Sequence, residues 1–330
     1  MSVHARNPDH LLYKINAINM INSAMSDPTE ASKASTIMAI NNLMTIETMI
    51  GNDAEVQIHI NGIERILATR GGFEGLPIVI VELLLPCLYM SSAWTHTKPV
   101  FPPPKPPYHI SARTASLITS SLPPILNSLF TGFSSPTLRI LFSPRMRATI
   151  VALETFTLFR EHFRTSARDL LLPELQHITI QGLHVEYQLL VLPFNEPQHP
   201  IQEAVRNALL MFKSSLYGIH SPTATIYRAL LSRMKAALDV SDLANYWAPT
   251  PELLLWILCM GAHHSGGEVE RPWFVMQIAR GVQLLRLSSW EDLEAILRCF
   301  CYFDRIYGKS MRRIWAEVEL FTMTSNMGGA

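Results

Sequence analysis

The chain has 330 residues, of which 48% are apolar and 16% charged, so it can bury a large core and carries too little charge for a disordered polymer. Lysine plus arginine equal aspartate plus glutamate at 27 each, which excludes the basic excess by which dedicated nucleic-acid-binding domains hold phosphate backbones. The cysteines are only Cys87, Cys259, Cys299 and Cys301, a usage that suits a reducing compartment, and the first residues lack the apolar core of a secretory signal.

In chain order, Asp9 to Met25 spaces Leu11, Leu12, Ile15, Ile18 and Ile21 as one helix. Asp27-Pro28-Thr29-Glu30 predicts a second start, with a capping aspartate, proline in the first turn and glutamate where a capping box wants it. Ile37, Ile40, Leu43 and Met44 follow, and the helix fades at Gly51-Asn52. The next helix covers 53 to 70. Asn52 and Asp53 are expected to accept bonds from its first amides. Val56, Ile60, Ile63 and Leu67 recur at helical steps and form one apolar face. Arg70 meets the negative end of the helix dipole. Gly71 or Gly72 takes the left-handed conformation that closes the helix, with Phe73 placed to fold back on it.

Pro77 opens a fourth helix to about Trp94, with a kink expected at Pro86. Its stretch Leu76 to Met90 is the best candidate for a membrane span, but it contains Glu82 and Pro86 and is shorter than the roughly 20 residues a span needs. A buried helix is the better reading. Lys98 to Tyr108 then breaks the pattern with K-P-V-F-P-P-P-K-P-P-Y, which favours extended polyproline geometry. A docking peptide for a proline-recognition domain is one reading; a stiff surface connection fits the spacing better.

Helical patterns resume from Ile110. Ser116 to Phe130 is interrupted at Pro123-Pro124, and Ser143-Pro144 starts a long helix through Phe163, apolar almost all round. Residues 166 to 191 give a helix or a pair broken at Pro173, followed by a proline loop from Leu192 to Pro200. Ile201 to Tyr217 is helical, and Ser221-Pro222 opens the next helix, through Leu238. Thr250-Pro251-Glu252 leads into L-L-L-W-I-L-C-M-G, a core helix that Gly261 ends or interrupts, with His263 to Gly267 as a loop. Glu270-Arg271-Pro272-Trp273-Phe274 and Ser288-Ser289-Trp290-Glu291-Asp292 open two more, the second resembling a capping box. Ile314-Trp315-Ala316-Glu317-Val318 closes the folded part. Strand-like alternation and a solenoid period are absent from the sequence, so the fold class is all-α, a multi-helix globular bundle.

Two blocks carry a resemblance. A helix ending in Arg70-Gly71-Gly72, followed by a short loop and an apolar helix, resembles the regulatory domain of fungal-specific Zn2Cys6 transcription factors. The downstream series L-L-W-x-L-x-x-G, E-R-x-W-F, S-W-E-D-x-x-x-x-L and W-A-E-V is similar to the end of the same domain. Together they span about residues 8 to 320; the middle, 96 to 250, matches only as a helical pattern. On this resemblance, residues 1–330 form a single regulatory domain with a proline-rich connection at 98–108. Cys299-Phe300-Cys301-Tyr302-Phe303 departs from the family, which often has a tryptophan there. The larger departure is that these residues contain no six-cysteine cluster able to hold two zinc ions.

The resemblance therefore implies a regulatory domain without its own DNA-binding module, in the nucleus or otherwise soluble and intracellular. Its implied partners are proteins of the transcription machinery or a DNA-binding partner, with a small-molecule effector besides. Direct DNA binding by this chain, a membrane and a cofactor are not expected.

Candidate chemistry is sparse. Cys299 and Cys301, read as two apart on a helix, point roughly 200° from each other and are badly placed to share a metal; two buried small residues are the stronger reading. Glu55 with His59, and His177 with His184, are helical-face pairs with too few ligands for a site. His263 and His264, between glycines, are the one acid-base candidate of an alternative all-α enzyme; a role in the turn is the stronger reading. A third alternative is a structural adaptor docking through Pro99 to Pro107. Phosphate-binding loops, nucleophile elbows and zinc-protease motifs are missing. Catalytic, cofactor-binding and metal residues are accordingly assigned to none.

Overall fold

The structure is a computed structural model and describes residues 8–50, 52–105, 123–165, 172–197, 199–218 and 225–327. Among these residues every regular element is helical, as the sequence predicts. The chain divides into two compact units, Met1–Ser92 with Pro99–Pro103, and Ala93–Lys98 with Pro104–Ala330.

The first unit contains α1 (Pro8–Met25), α2 (Pro28–Ala31), α3 (Ala34–Ile50), α4 (Asp53–Thr69) and the larger part of α5 (Ile78–Thr95). Its core is the predicted one: Ile37, Ile40, Leu43 and Met44 of α3 and Val56, Ile60, Ile63 and Leu67 of α4 are all buried. The segment after Asp27 is two helices rather than one. Asp27 does cap, accepting from Thr29 N at 2.8 Å, but Glu30 turns to Lys33 instead of closing the box. The chain then breaks at Ser32-Lys33 before α3 begins. Asn52 also departs from expectation. Its amide donates to Glu47 Oε2 at 2.9 Å and makes no capping bond.

Helix α1 half-buries Ile18 and Ile21 and leaves other apolar residues outward. Leu12, Ile15 and Met20 are 56%, 54% and 74% exposed. Helix α5 is the one helix among the described residues long and apolar enough to cross a membrane, and 44% of that window is buried in the protein. Pro86 lies inside it.

The end of α4 is the most sharply determined local structure. Gly72 N donates to Leu67 O at 2.7 Å and Gly71 N to Ala68 O at 3.3 Å, the paired bonds of a Schellman closure. Both glycines have positive φ, 84° and 102°, where a side chain would be strained. Arg70 guanidinium donates to Glu74 O at 2.8 Å and to Ser32 O, 38 positions earlier, so it ties the α2–α3 break to the α4 terminus. The Phe73 ring meets Phe101, 5.2 Å between centroids.

The second unit begins with short 3-10 turns at Pro124–Leu126 and Thr131–Ser134, where the sequence suggested the remainder of a helix. The predicted starts at Ser116 and Ser221-Pro222 lie outside the described residues. Then come α6 (Pro136–Leu141), α7 (Pro144–Thr165), α8 (Leu172–Asn195), α9 (Pro200–Ser215), α10 (Thr225–Val240), α11 (Pro251–His264), α12 (Arg271–Leu284), α13 (Trp290–Arg298), a π-helical turn (Asp304–Gly308) and α14 (Lys309–Met327). Helices α9 and α11 are buried along nearly their whole length and form the centre. Ser143 Oγ accepts from Met146 N at 3.0 Å, so the predicted start of α7 is a true cap. Helix α8 runs on through Pro193 to Asn195, shortening the predicted proline loop.

Gly261 neither ends nor interrupts its helix. Helix α11 continues to His264, and the glycine is there because the Phe274 ring of α12 lies against it: an added Cβ would stand 2.3 Å from Phe274 Cε1. The capping box at α13 is present as predicted, with Asp292 N donating to Ser289 Oγ at 3.2 Å and Ser289 N to Asp292 Oδ2 at 3.0 Å.

Two glycine-to-alanine substitutions separate helix propensity from packing. Gly62, inside α4, has open space where a Cβ would go. Gly62→Ala is expected to raise unfolding stability by about 0.5–1 kcal/mol. Gly261→Ala drives a methyl into Phe274 and is expected to cost about 1–3 kcal/mol. Urea denaturation followed by circular dichroism measures both; equal effects would contradict this assignment.

Candidate functional site

The second unit buries a carboxylate. Along α7, Thr149, Leu153, Thr157 and Glu161 fall at steps of four on one buried ridge, so the helix carries Glu161 inward. Glu161 is 1% exposed. An unpaired carboxylate there would cost several kcal/mol. Arg164 Nε donates to Oε2 at 2.9 Å, Arg305 of the π-helical turn donates to Oε1, and Arg160 Nη1 stands 3.7 Å from Oε1. A second buried pair, Lys213 with Glu186, joins α9 to α8. Burial disfavours the Lys213 charge, but Glu186 beside it outweighs that and holds the ammonium pKa above its ordinary value.

Tyr217 collects the cations. Arg160 and Lys213 lie over its ring at 5.1 and 5.0 Å from the centroid. A cavity of about 450 Å³ opens beside this group, lined among others by Arg160, Arg305, Tyr217, Tyr227, His263 and Ile306. Burial pushes the Tyr227 hydroxyl up to about 12, so it is a neutral hydroxyl at neutral pH.

Both histidines of the predicted loop sit in the last turn of α11 and are buried, which corrects that reading. His264 stacks on Tyr227 at 4.2 Å, and His263 meets the Tyr307 ring edge-on at 5.0 Å. His263 is 7% exposed, and its Nδ1 has no hydrogen-bond partner. Burial, helped by the charge of Arg271, pushes its pKa down to about 4, so the ring is neutral at pH 7. Of the candidates read from the sequence, His263 is the one that the structure brings to a cavity.

The others remain apart. Cys299 ends α13 and Cys301 lies beyond it, so the pair does not share a helix; both are free thiols, Cys301 buried. Glu55 acts on His59 by its charge alone, against the burial that lowers the His59 pKa. His184 Nε2 is 2.9 Å from Pro104 O, and His177 is buried on the same helix, α8. Groups of three or more metal-ligating side chains are absent among the described residues. In the proline-rich connection Pro99 and Pro103 are buried, and Phe101 O accepts from the Tyr89 hydroxyl at 3.0 Å. Sequence reasoning missed Arg160, Glu161, Lys213, Glu186 and Arg305. The available signal was a carboxylate at Glu161 in phase with the buried Leu153 and Thr157.

Residues 2–98 match the family model of the fungal specific transcription factor domain. No curated protein and no solved structure matches the chain. The matched stretch contains the Arg70-Gly71-Gly72 helix end, so the resemblance read there is borne out, and the family is a transcription factor domain rather than an enzyme. The downstream block from Thr250 to Val318 lies outside the match.

The His263 assignment predicts a pH dependence. Its native pKa of about 4 lies below the ordinary 6.5, so between these values the unfolded chain binds a proton that the native chain does not. Stability should fall as pH drops from 6.5 towards 4, by up to about 1.4 kcal/mol per pH unit from this group. His263→Gln should flatten that part of the curve in denaturation series. Glu161→Gln, which leaves the guanidinium groups facing a neutral amide, should lower stability by roughly 1.5–3 kcal/mol in the same measurement, since Arg164 and Arg305 keep contact with water.

Proposed function

We propose that the chain is a transcription regulator-like protein of the fungal Zn2Cys6 type, present here as its regulatory domain and acting in the nucleus. The observation that carries this reading is the family match over residues 2–98. The downstream block and the all-helical architecture agree with it. The 330 residues have balanced charge and four cysteines, two fewer than the six thiolates of a two-zinc cluster, so on this reading DNA is not reached through these residues. The outward-facing Leu12, Ile15 and Met20 of α1 give apolar surface for a protein partner. The cavity beside Tyr217 gives a place for a small-molecule effector. On this reading the chain is no enzyme, and control comes from an effector or partner that favours one helical packing over another.

A tethering assay tests the reading. The full chain is fused to a heterologous DNA-binding domain upstream of a reporter in a fungal host. Reporter output is expected to change several-fold relative to the DNA-binding domain alone. Unchanged output at equal expression would overturn the regulatory assignment. The purified chain is expected to hold no stoichiometric zinc and to show no salt-resistant, sequence-specific DNA binding; either would overturn the reading that these residues lack a DNA-binding module.

A further inference from the structure

The cavity beside Tyr217 has two arginines in its lining and two buried nitrogens without a hydrogen-bond partner among the described residues. Its volume of about 450 Å³ lies in the range of small-molecule sites. Arg160 and Arg305 line it; with Arg164 they surround Glu161, and Lys213 is paired with Glu186. The Glu161 oxygens are taken by Arg164 and Arg305, and Glu186 is taken by Lys213. Arg160 is left at 3.7 Å from the nearest of them, beyond hydrogen-bond reach, and its buried Nη1 has no hydrogen-bond partner. His263 Nδ1, on a side chain more than nine-tenths buried, has none either. Buried donors and acceptors in folded proteins are ordinarily paired. Two such atoms, on two residues that line one cavity, are left without a partner among the described residues and are open to a ligand.

We propose that this cavity binds a small organic acid, whose carboxylate is held by Arg160 with Arg305 adding charge and whose apolar body lies against Tyr217 and Ile306. The guanidinium fork matches a planar carboxylate, and it is already oriented by its position over the Tyr217 ring. Phosphate would answer the arginines but leave the apolar part of the lining, Ile306 among it, uncovered, whereas an organic acid answers both parts. The Lys213–Glu186 pair is neutral as a whole, so the charge of the ligand is answered by Arg160 and Arg305. This inference rests on the regulatory reading only in treating the acid as the effector; the binding itself does not.

The test is titration of the purified full chain with benzoate and octanoate, each beside its uncharged amide, and with inorganic phosphate, read by saturation-transfer NMR and calorimetry. Expected is saturable binding of at least one acid, at least about tenfold tighter than its amide and not displaced by phosphate. Arg160→Lys keeps the charge but loses the fork, and Ile306→Trp fills the space; each should weaken the acid about tenfold with the helical circular dichroism spectrum retained. Absence of saturation by both acids up to about 10 mM overturns the proposal. So does equal binding of the amides, or displacement by phosphate. Should either variant unfold, the comparison of acid, amide and phosphate on the unaltered chain still decides. A negative titration with a positive tethering assay removes the ligand site and leaves the regulatory reading; the reverse removes the regulatory reading alone.

Discussion

Glu161 is the group around which the second unit's chemistry is arranged. A carboxylate inside a helical core is tolerated only when cations come to it, and here they come from two places: Arg160 and Arg164 on its own helix, and Arg305 on the π-helical turn before α14. The requirement fixes where that turn must lie. The positive surplus beside Tyr217 is thus a by-product of satisfying a buried negative charge, and it is what makes the space selective for an anion.

The C-terminal motifs become intelligible once they are placed in space. Arg271 of E-R-x-W-F forks onto Glu317 of W-A-E-V, with Nε to Oε2 at 3.0 Å and Nη2 to Oε1 at 2.8 Å, and its third nitrogen reaches Ala262 O at the end of α11. Trp256 of L-L-W donates from Nε1 to Cys301 O at 3.3 Å and stacks on Phe300. Phe300 in turn lies against Gly132, whose N–H bonds Cys299 O at 2.7 Å. Segments far apart in sequence are therefore one joint, in which an arginine, a glutamate and a tryptophan are structural parts.

The sequence made the helices and the α3–α4 core legible because both rest on local rules. Apolar spacing determines which face turns inward, and two glycines with positive φ close α4. The failures share one cause, which is that tertiary packing decides them. Gly261 reads as a breaker but is a contact surface for Phe274. The stripe on α1 reads as core, yet Leu12 and Ile15 are exposed and Ile18 and Ile21 only half-buried. Asn52 reads as a cap but is drawn to Glu47. The candidate site was largely illegible for the same reason. Arg160, Lys213 and Arg305 are ordinary surface types when read singly, and only the fold turns them towards one ring. His263 could be noticed, but its burial and neutrality follow from α11 running one turn further than the glycine suggested.

The Arg70 clasp bears on the order in which the first unit assembles. Its guanidinium reaches the Ser32 carbonyl across 38 positions of chain. That bond can form only after α3 and α4 have come together, since the closing of so long a segment must be compensated by their apolar contacts first. The clasp is thus a late event on the folding route. An interaction of that kind leaves the rate of assembly nearly untouched and instead slows the rate at which the finished structure comes apart. In the living cell it would lengthen the lifetime of the first unit without altering how quickly a newly made chain acquires it.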